Sequence, residues 1–259
     1  MMGSLNSPIA SWQGKRVWII GASSGIGAAL AQSLLRAGAS VAVSARREAE
    51  LAAVIQGYAN AAAVVLDVSR TEDWSPALQR VVNALGGLDL VVMSAARYDP
   101  MHAWEIDLAK VQQSFDLNVV SLYKGLAVVV PHLLAQRAGG IALIGSISGY
   151  TGLPKALVYG ATKASLNNLA ETLYFELAPR GLNVYLVNPG FVATPMTAVN
   201  DFDMPGLMTP EQAAEQIKLG LEKGRFEIRF PKGFANGLRW ISRLPYRWRF
   251  TLLHKATGL

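Results

Sequence analysis

Short apolar runs alternate along the chain with longer segments in which apolar residues recur every three or four positions. The runs occupy residues 16–20, 40–45, 62–68, 88–95, 140–146, 182–190 and 226–230. The helical patterns occupy residues 26–37, 47–57, 73–85, 105–136, 156–179 and 210–223. This alternation predicts βαβ units, and most runs lack a polar side, so helices should cover both faces of the sheet. The predicted fold class is therefore α/β, a doubly wound parallel sheet of seven strands.

Turn-forming residues mark the ends of these elements. Gly38, Gly86, Gly139 and Gly181 follow predicted helices, where a left-handed residue often closes the last turn. The segment NDFDMPGLMTP (200–210) is rich in turn formers and predicts a long loop. The chain shows no internal repeat or low-complexity segment.

The end of the chain has a pattern of its own. A length of 259 residues suits one domain, predicted over residues 1–231, and residues 232–259 form an extension that is part of the same domain or peripheral to it. An apolar stripe at helical spacing in the extension comprises Phe234, Leu238, Ile241, Leu244 and Trp248. Arg239, Arg243 and Arg247 recur on another face, and Pro245 should kink or break the helix.

The positive charge is concentrated in the same region. The formal net charge is +6, yet eight Lys and Arg and only one acidic residue, Glu227, lie from residue 225 onward, so the preceding part is slightly acidic. This distribution argues against a nucleic-acid-binding face on the main body. Three roles remain open for the extension: it could pack over a substrate cleft, pack on another subunit, or contact an anionic membrane surface.

Composition excludes several kinds of chemistry. The chain contains no cysteine, and its three histidines, His102, His132 and His254, are too widely separated to suggest ligand spacing, so no metal is expected. The first sixteen residues lack the apolar core of a secretion signal, and no apolar run approaches the ~20 residues of a membrane span. A cytoplasmic protein is expected, with peripheral membrane contact through the extension left open.

A glycine-rich turn follows the first predicted strand. GASSGIG (21–27) lies between that strand and a helix, where glycines let the backbone approach a pyrophosphate and the helix presents free amides to it. Its G-x-x-x-G-x-G spacing differs from the general dinucleotide fingerprint, so alone the turn indicates nucleotide binding only weakly.

A tyrosine and a lysine stand four residues apart in YGATK (159–163), which places Tyr159 and Lys163 on one helix face. Together with the glycine turn, this pair resembles the short-chain dehydrogenase/reductase superfamily, in which T-G-x-x-x-G-I-G and Y-x-x-x-K lie on a Rossmann-like sheet. The resemblance extends from about Gly14 to Phe230. Four more positions match in order: Asp67, Asn118, Ser146 and the segment NPGFVAT (188–194).

The resemblance implies an enzyme that interconverts a carbonyl and an alcohol. Tyr159 would be the proton donor or base, and Lys163 would lower the pKa of its phenol and bind the nicotinamide ribose. Ser146 would hold the substrate oxygen, and Asn118 would anchor a water of a proton relay. The hydride would come from a nicotinamide ring, because no side chain can supply one.

NADP(H) is the cofactor favoured by the sequence, with NAD(H) as the alternative. Ala45 stands where NAD-preferring relatives have an acidic residue, and Arg46 and Arg47, which follow it, suit a 2′-phosphate. The implied cofactor-binding positions are Gly21, Ser23, Ser24, Gly25, Ile26, Gly27, Ser44, Arg46, Arg47, Asp67, Val68, Ser94, Ala95, Tyr159, Lys163, Pro189, Gly190, Val192 and Thr194.

An apolar pocket is expected on the substrate side, for a hydrophobic ketone, aldehyde or alcohol. The residues expected to line it are Ser148, Tyr150, Leu153, Phe191, Met196 and Met204. The resemblance also implies a homodimer or homotetramer paired through the long helices that carry Asn118 and Tyr159.

Two departures from the family pattern stand out. Ile20 replaces a usual threonine, and MSAA (93–96) replaces N-N-A-G, which puts local backbone ties in doubt; Ser94 could replace some of the missing hydrogen bonds. The expectation is an NADP-dependent short-chain dehydrogenase/reductase acting on CH–OH donors. Two alternatives stay open: a catalytically silent nucleotide-binding sensor or scaffold, and a membrane-surface reductase of lipid-like substrates.

Overall fold

A computed structural model describes residues 4–257 of the protein. Within these residues, seven strands form one parallel sheet in the order β3-β2-β1-β4-β5-β6-β7. The strands are β1 (Arg16–Ile20), β2 (Ser40–Ser44), β3 (Ala61–Ala63), β4 (Leu90–Met93), β5 (Gly140–Ile144), β6 (Asn183–Pro189) and β7 (Glu227–Phe230). The sheet confirms the predicted doubly wound α/β class. The predicted outer limits at residues 1 and 259, and the first three residues of the N-terminal segment, lie outside the described residues.

Nine α-helices connect or follow the strands in this described part. They are α1 (Gly25–Arg36), α2 (Glu48–Ile55), α3 (Thr71–Leu85), α4 (Leu108–Phe115), α5 (Ser121–Gln136), α6 (Leu157–Leu177), α7 (Pro210–Glu222), α8 (Lys232–Ile241) and α9 (Tyr246–Thr257). The four glycines predicted to follow helices all have positive φ, and Gly86 and Gly181 are themselves C-terminal caps.

Alternate strand residues serve two separate cores. Val17 and Ile19 of β1 point to the side covered by α1, α2 and α7, whereas Trp18 and Ile20 point to the side covered by α3, α5 and α6. All four are almost fully buried. This explains why the strands are apolar without alternation, since each face of a parallel sheet is covered by helices.

The strand order reverses at β1, which pairs with β2 on one side and with β4 on the other. The chain therefore crosses over in opposite directions after β1 and after β3. Such a reversal leaves a crevice beyond the carboxyl ends of the central strands, which is where ligands bind in open α/β sheets.

The third strand is shorter than predicted. The apolar run 62–68 predicts a strand over its whole length, but β3 ends at Ala63. The chain still follows β2, because Val64 and Leu66 donate backbone hydrogen bonds to Val43 and Ala45. The run therefore continues as an extended edge segment rather than as regular strand.

The helical pattern 105–136 is divided in the structure. Asp107 caps the start of α4 through hydrogen bonds to two backbone amides, and a π-helical turn at 116–120 separates α4 from α5. By length and composition, the stretch Leu108–Gln136 is long and apolar enough to cross a membrane, contrary to the expectation from uninterrupted apolar runs. Here Leu122, Leu126 and Val129 pack in the core against the sheet, so the stretch serves as a core helix.

The C-terminal extension forms two helices, and part of its predicted apolar stripe, Phe234, Leu238 and Ile241, packs on the body, whereas Trp248 is exposed. The helix breaks before α9, next to Pro245 as predicted. Ala235, Leu238 and Leu253 are buried against Ile147, which follows the end of β5. The extension therefore packs against the chain's own sheet, next to the end of β5.

Candidate active site

A cleft of about 430 Å³ opens at the carboxyl ends of the central strands. Its walls come from the glycine turn, the ends of β2, β4, β5 and β6, and the start of α6. Predicted site residues found in its lining are Gly21, Ser23, Ser24, Gly25, Ile26, Gly27, Arg46, Arg47, Asp67, Val68, Ser94, Ala95, Ser146, Tyr159, Lys163, Pro189, Gly190, Val192, Thr194 and Met196. Segments far apart in sequence thus meet at one place, as the topology requires.

The glycine turn is shaped by close backbone approaches. A Cβ on Gly21 would lie 2.4 Å from the Ala95 amide nitrogen, and one on Gly27 would lie 2.3 Å from the Gly21 carbonyl oxygen. Any larger residue at either position would push the turn out of place. The same turn is fixed to the end of β2, because the Gly21 and Ala22 amides donate to the Ser44 carbonyl oxygen.

The start of α1 faces the cleft without a side-chain cap. Ser24 is the N-cap residue but makes no capping hydrogen bond, and no acidic residue lies in the first turn. A Cβ on Gly25 would approach the Thr194 methyl to 3.0 Å, so the passage between the turn and the segment after β6 is narrow. Free helix-terminal amides beside a cradle without side chains fit the pyrophosphate of a dinucleotide.

Cationic side chains border the far end of the cleft. Arg46 and Arg47 follow β2 and are exposed, and the Arg47 guanidinium donates to the Ser23 hydroxyl at 3.3 Å. Asp67 lies nearby. Burial acts to raise the pKa of its carboxyl. Two hydrogen bonds from Ser69 and the charge of Arg46 lower the pKa by more than burial raises it, so the pKa is below its ordinary value. This end of the cleft therefore combines two cations with an ionised carboxylate.

Tyr159, Ser146 and Lys163 come together at the other end. All three side chains line the cleft, and the Ser146 side chain acts to lower the pKa of the Tyr159 phenol. The Lys163 Nζ lies 5.6 Å from the centroid of the Tyr159 ring and donates to the Ile144 carbonyl oxygen at 2.8 Å. Because Tyr159 and Lys163 project from one face of α6 towards the end of β5, the predicted helix-face arrangement is present.

The predicted low pKa of the Tyr159 phenol is not found. Burial raises it to about 12, the Ser146 side chain acts in the opposite direction, and the neighbouring Tyr98 raises it further. Burial also lowers the pKa of Lys163 to about 8, because its ammonium is 2 % exposed and faces no carboxylate. Desolvation of both groups thus outweighs their mutual effect, and the phenol is neutral at physiological pH.

Asn118 lies in the π-helical turn and is buried outside the cleft lining. Its amide donates to the Arg97 carbonyl oxygen (2.8 Å) and to the Thr162 hydroxyl (3.1 Å), and its oxygen accepts from the Arg97 amide. The Thr162 hydroxyl donates in turn to the Tyr159 carbonyl oxygen. Asn118 therefore ties the loop after β4 to the helix that carries Tyr159.

A backbone hydrogen bond joins the two places at which the sequence departs from the family pattern. The Ser94 amide donates to the Ile20 carbonyl oxygen at 2.8 Å, which joins the ends of β4 and β1. Ser44 is fully buried, and its hydroxyl accepts from the Trp18 indole, so its side chain lies behind the cleft rather than in it.

Most of the predicted substrate residues lie outside the cleft lining. The Ser148 hydroxyl donates to the Ser146 hydroxyl at 3.0 Å. Tyr150 and Leu153 pack against α8 and α9, Phe191 stacks on Phe234, and the Met204 sulfur accepts from Asn200. Only Met196 of the predicted set reaches the lining.

Tyr98 is a site residue that sequence reasoning missed. Its ring meets the Tyr159 ring edge-on at 5.0 Å between centroids, and its hydroxyl donates to Asn200 in the long loop. Lys155, just before α6, binds Asp201 of the same loop at 2.5 Å. Two tethers thus hold the start of the loop, at Asn200 and Asp201, to Tyr98 and Lys155. The aromatic residue four positions after Ser94 was the available signal.

A buried polar network joins the site to the C-terminal extension. The Glu227 carboxylate of β7 accepts from the Tyr150 hydroxyl (2.5 Å), from Asn188 (3.1 Å) and from Arg229 (2.6 Å). The Arg239 guanidinium of α8 lies over the Tyr150 ring at 4.9 Å. The turn that follows Ser146 is therefore held by charge-assisted bonds as well as by apolar contacts.

The chain is similar to known proteins over most of its length. The sequence model of the family described as "short chain dehydrogenase" matches residues 15–204. A Myxococcus xanthus protein named "Uncharacterized oxidoreductase" is 33 % identical over 88 % of this chain and 91 % of its own length. A Mycobacterium tuberculosis protein named "3-alpha-(or 20-beta)-hydroxysteroid dehydrogenase" is 32 % identical over 71 % of both chains.

The solved structures extend the agreement to the fold. The 3-ketoacyl-(acyl-carrier-protein) reductase of Brucella melitensis, complexed with NADH, aligns with a TM-score of 0.80 at 24 % identity, over 87 % of this chain and all of that one. Since the family pattern covers most of the chain, and the relatives share about a third of their residues with it, the chain belongs to the short-chain dehydrogenase/reductase family of oxidoreductases, which use a nicotinamide cofactor.

Proposed function

We propose that the protein is an NADP(H)-dependent oxidoreductase that reduces a hydrophobic ketone or aldehyde to an alcohol, or catalyses the reverse reaction. The observation that carries this proposal is that Tyr159, Ser146 and Lys163 line one cleft together with the glycine turn. A proton donor, an oxygen-binding hydroxyl and a dinucleotide cradle in one cleft suit hydride transfer to a carbonyl.

The protonation states favour the reductive direction. A Tyr159 phenol with a pKa near 12 keeps its proton at neutral pH and can donate it to a carbonyl oxygen that becomes an alkoxide. Ser146 holds that oxygen by a second hydrogen bond. Lys163, with a pKa of about 8, is mostly charged at pH 7 and stabilises the phenolate left after the transfer. NADPH, when bound, supplies the hydride.

Preference for NADP(H) is supported by charge at the end of β2. Ala45 offers no carboxylate to the ribose hydroxyls, and Arg46 lies in the cleft lining without an ion pair among the described residues. Arg47 is already shared with Ser23 and Glu50. Arg46 is therefore the guanidinium that we assign to the 2′-phosphate, which it can bind by charge-assisted hydrogen bonds.

An apolar carbonyl compound is the proposed substrate class. The Tyr98 ring packs against the Tyr159 ring, and Met196 adds an apolar side chain to the lining of the same cleft. The name of the Mycobacterium tuberculosis relative points to a hydroxysteroid, which is also a largely apolar alcohol. Both observations favour a lipid-like or aromatic carbonyl compound over a small polar one.

We further propose a cytoplasmic homodimer or homotetramer. Val120 and Tyr123 of the π-turn and α5 region and Phe175 of α6 are exposed large apolar residues on the two helices that family resemblance pairs between subunits. Sedimentation of a monomer at micromolar concentration would contradict this assembly.

The first experiment follows NADPH consumption with a panel of hydrophobic and polar ketones and aldehydes. Tyr159→Phe should lower turnover by roughly 10²–10⁴-fold, the usual contribution of general acid catalysis, while NADPH binding is retained. Tyr185→Phe is the matched control, because burial raises the pKa of this tyrosine to about 12 as well, yet its hydroxyl points to Ser7, away from the cleft.

Its outcomes separate the enzyme from the sensor. NADPH binding without consumption of any compound in the panel would favour the catalytically silent alternative. Near-normal turnover of Tyr159→Phe would remove the proposed proton donor.

A second experiment measures the affinities for NADPH and NADH. Arg46→Ala should weaken NADPH binding by roughly 10- to 100-fold, as expected for one charge-assisted hydrogen bond, and leave NADH binding unchanged. Arg36→Ala, at the opposite end of α1, controls for the loss of one positive charge. Tighter binding of NADH than of NADPH by the unaltered protein would reverse the proposed preference.

A further inference from the structure

The exposed side chains of α8 and α9 are unusually apolar. Eighteen large hydrophobic side chains are exposed among the described residues, and five of them lie within this short segment. These five are Trp240, Tyr246, Trp248, Phe250 and Leu252, of which the two tryptophans are 61 % and 66 % exposed. Together with Arg243 and Arg247, they are called the tail surface below.

Packing on the body does not account for these side chains. The contacts that hold the extension in place use other residues, Ala235, Leu238 and Leu253, which are at most 8 % exposed. Arg239 is likewise occupied with Tyr150 and lies 3.8 Å from Glu227. The tail surface is therefore an additional apolar surface on helices that are already anchored.

Charge on this surface has one sign only. Residues 232–259 contain six Lys and Arg and no Asp or Glu. Arg243 and Arg247 are exposed, and in the described part of the chain neither forms an ion pair. Aromatic side chains beside unpaired cations are the composition of helices that lie in the interface of an anionic bilayer.

Other occupants fit less well. A second copy of the chain that pairs through the same surface would bring two cationic segments together, and the rest of the chain is nearly neutral and offers no compensating charge. Nucleic acid would use the cations but leave Leu252 and much of the aromatic surface without an apolar environment. We propose that the tail surface docks on an anionic lipid bilayer.

The C-terminal extension adjoins the long loop at 200–210. Phe234 of α8 stacks on Phe191 at 5.9 Å, and Phe191 meets Phe202 of that loop at 5.8 Å. Phe202 and Leu207 of the loop are exposed as well. An exposed apolar loop beside the docked helices extends the surface that can contact lipid.

Co-sedimentation of the full-length protein with vesicles tests the proposal. The protein should pellet with vesicles rich in phosphatidylglycerol and stay in solution with phosphatidylcholine alone, and added salt should release it. Each cation near an anionic surface is worth roughly a fivefold gain in binding. The double variant Arg243→Glu with Arg247→Glu should therefore weaken binding by more than about 100-fold.

Aromatic contributions are tested with Trp240→Ala combined with Trp248→Ala, which should lower binding at least tenfold. Trp104→Ala is the matched control, because Trp104 is 79 % exposed but stacks on His102, outside the tail surface. Retained NADPH binding shows that each variant is folded.

Three results would overturn the proposal. The first is no lipid-dependent pelleting of the unaltered protein. The second is an equal loss of binding in Trp104→Ala, which would make the effect unspecific. The third is that the tail variants bind lipid like the unaltered protein but differ from it in oligomeric state or in their effect on DNA mobility. A changed oligomeric state would assign the surface to a second copy, and a changed DNA mobility would assign it to nucleic acid.

Discussion

Lys163 should make the stability of the protein depend on pH in the alkaline range. Its ammonium is buried without a carboxylate partner, and burial lowers its pKa from 10.5 to about 8. Between these two values the unfolded chain binds more protons than the folded one, so the free energy of unfolding rises with pH. Integration from pH 7 to pH 9.5 gives a gain of about 2 kcal/mol from this one group.

Lys163→Met isolates that gain. The variant removes the titrating group and leaves the Ile144 carbonyl oxygen without its donor, but the latter cost does not change with pH. The Tyr159 phenol, with a pKa near 12, stays neutral in the folded protein over this range. The difference in unfolding free energy between the two proteins therefore cancels the other titrations and retains that of Lys163.

Urea unfolding at a fixed protein concentration, at several pH values from 7 to 9.5, measures this difference. The unaltered protein should gain about 2 kcal/mol relative to Lys163→Met across the range. Lys110→Met, at the exposed start of α4, reports the effect of removing one surface charge. Two parallel curves for the unaltered protein and Lys163→Met would refute the claim that this lysine is desolvated and unpaired.

Three further changes test the geometry around the site. Gly21→Ala should destabilise the protein by about 3 kcal/mol in thermal unfolding, because its Cβ would meet the Ala95 backbone. Gly57→Ala, at a position with a similar φ and open space, should lower the free energy of unfolding clearly less. Equal losses in the two variants would show that the close approach to Ala95 does not matter for stability. Tyr98→Phe keeps the ring but loses the hydrogen bond to Asn200 in the long loop, which is worth about 1 kcal/mol. KM should therefore rise severalfold while kcat stays nearly constant. An unchanged KM would show that this hydrogen bond does not affect substrate binding. Glu227→Gln should cost about 1–3 kcal/mol at pH 7. Burial acts to raise the pKa of Glu227, but the Tyr150 hydrogen bond and the Arg239 charge hold it below its ordinary value. The stability that this carboxylate contributes is therefore lost as the pH falls, and the difference in unfolding free energy from Glu227→Gln should shrink in acid. A difference that stays constant with pH would argue against an ionised carboxylate.

Local patterns were sufficient for the architecture. The alternation of apolar runs with helical periodicity depends only on which faces of each element are buried, and it predicted the seven strands and the order of the helices that follow them. The four-residue spacing of Tyr159 and Lys163 fixed their common helix face, and the glycine turn and the cationic extension were equally visible in the sequence.

Such local patterns could not predict the contacts between segments that are distant in the sequence. Tyr98 reaches Tyr159 and Asn200 only because β4, α6 and the long loop end at the same edge of the sheet. Tyr150 and Leu153, expected in the substrate pocket, turn instead towards α8 and α9, because the extension folds back over the end of β5. No spacing within one element reports such packing.

Thus the sequence alone determined the sheet, the glycine turn and the common helix face of Tyr159 and Lys163, because periodicity, turn chemistry and residue type are local properties. The tertiary structure decided their electrostatic state. Burial raised the pKa of Tyr159 to about 12 and lowered that of Lys163 to about 8, whereas their spacing had suggested an acidified phenol. The physical reason is that a pKa depends on the water removed from around a group, and only the folded chain determines how much water remains there.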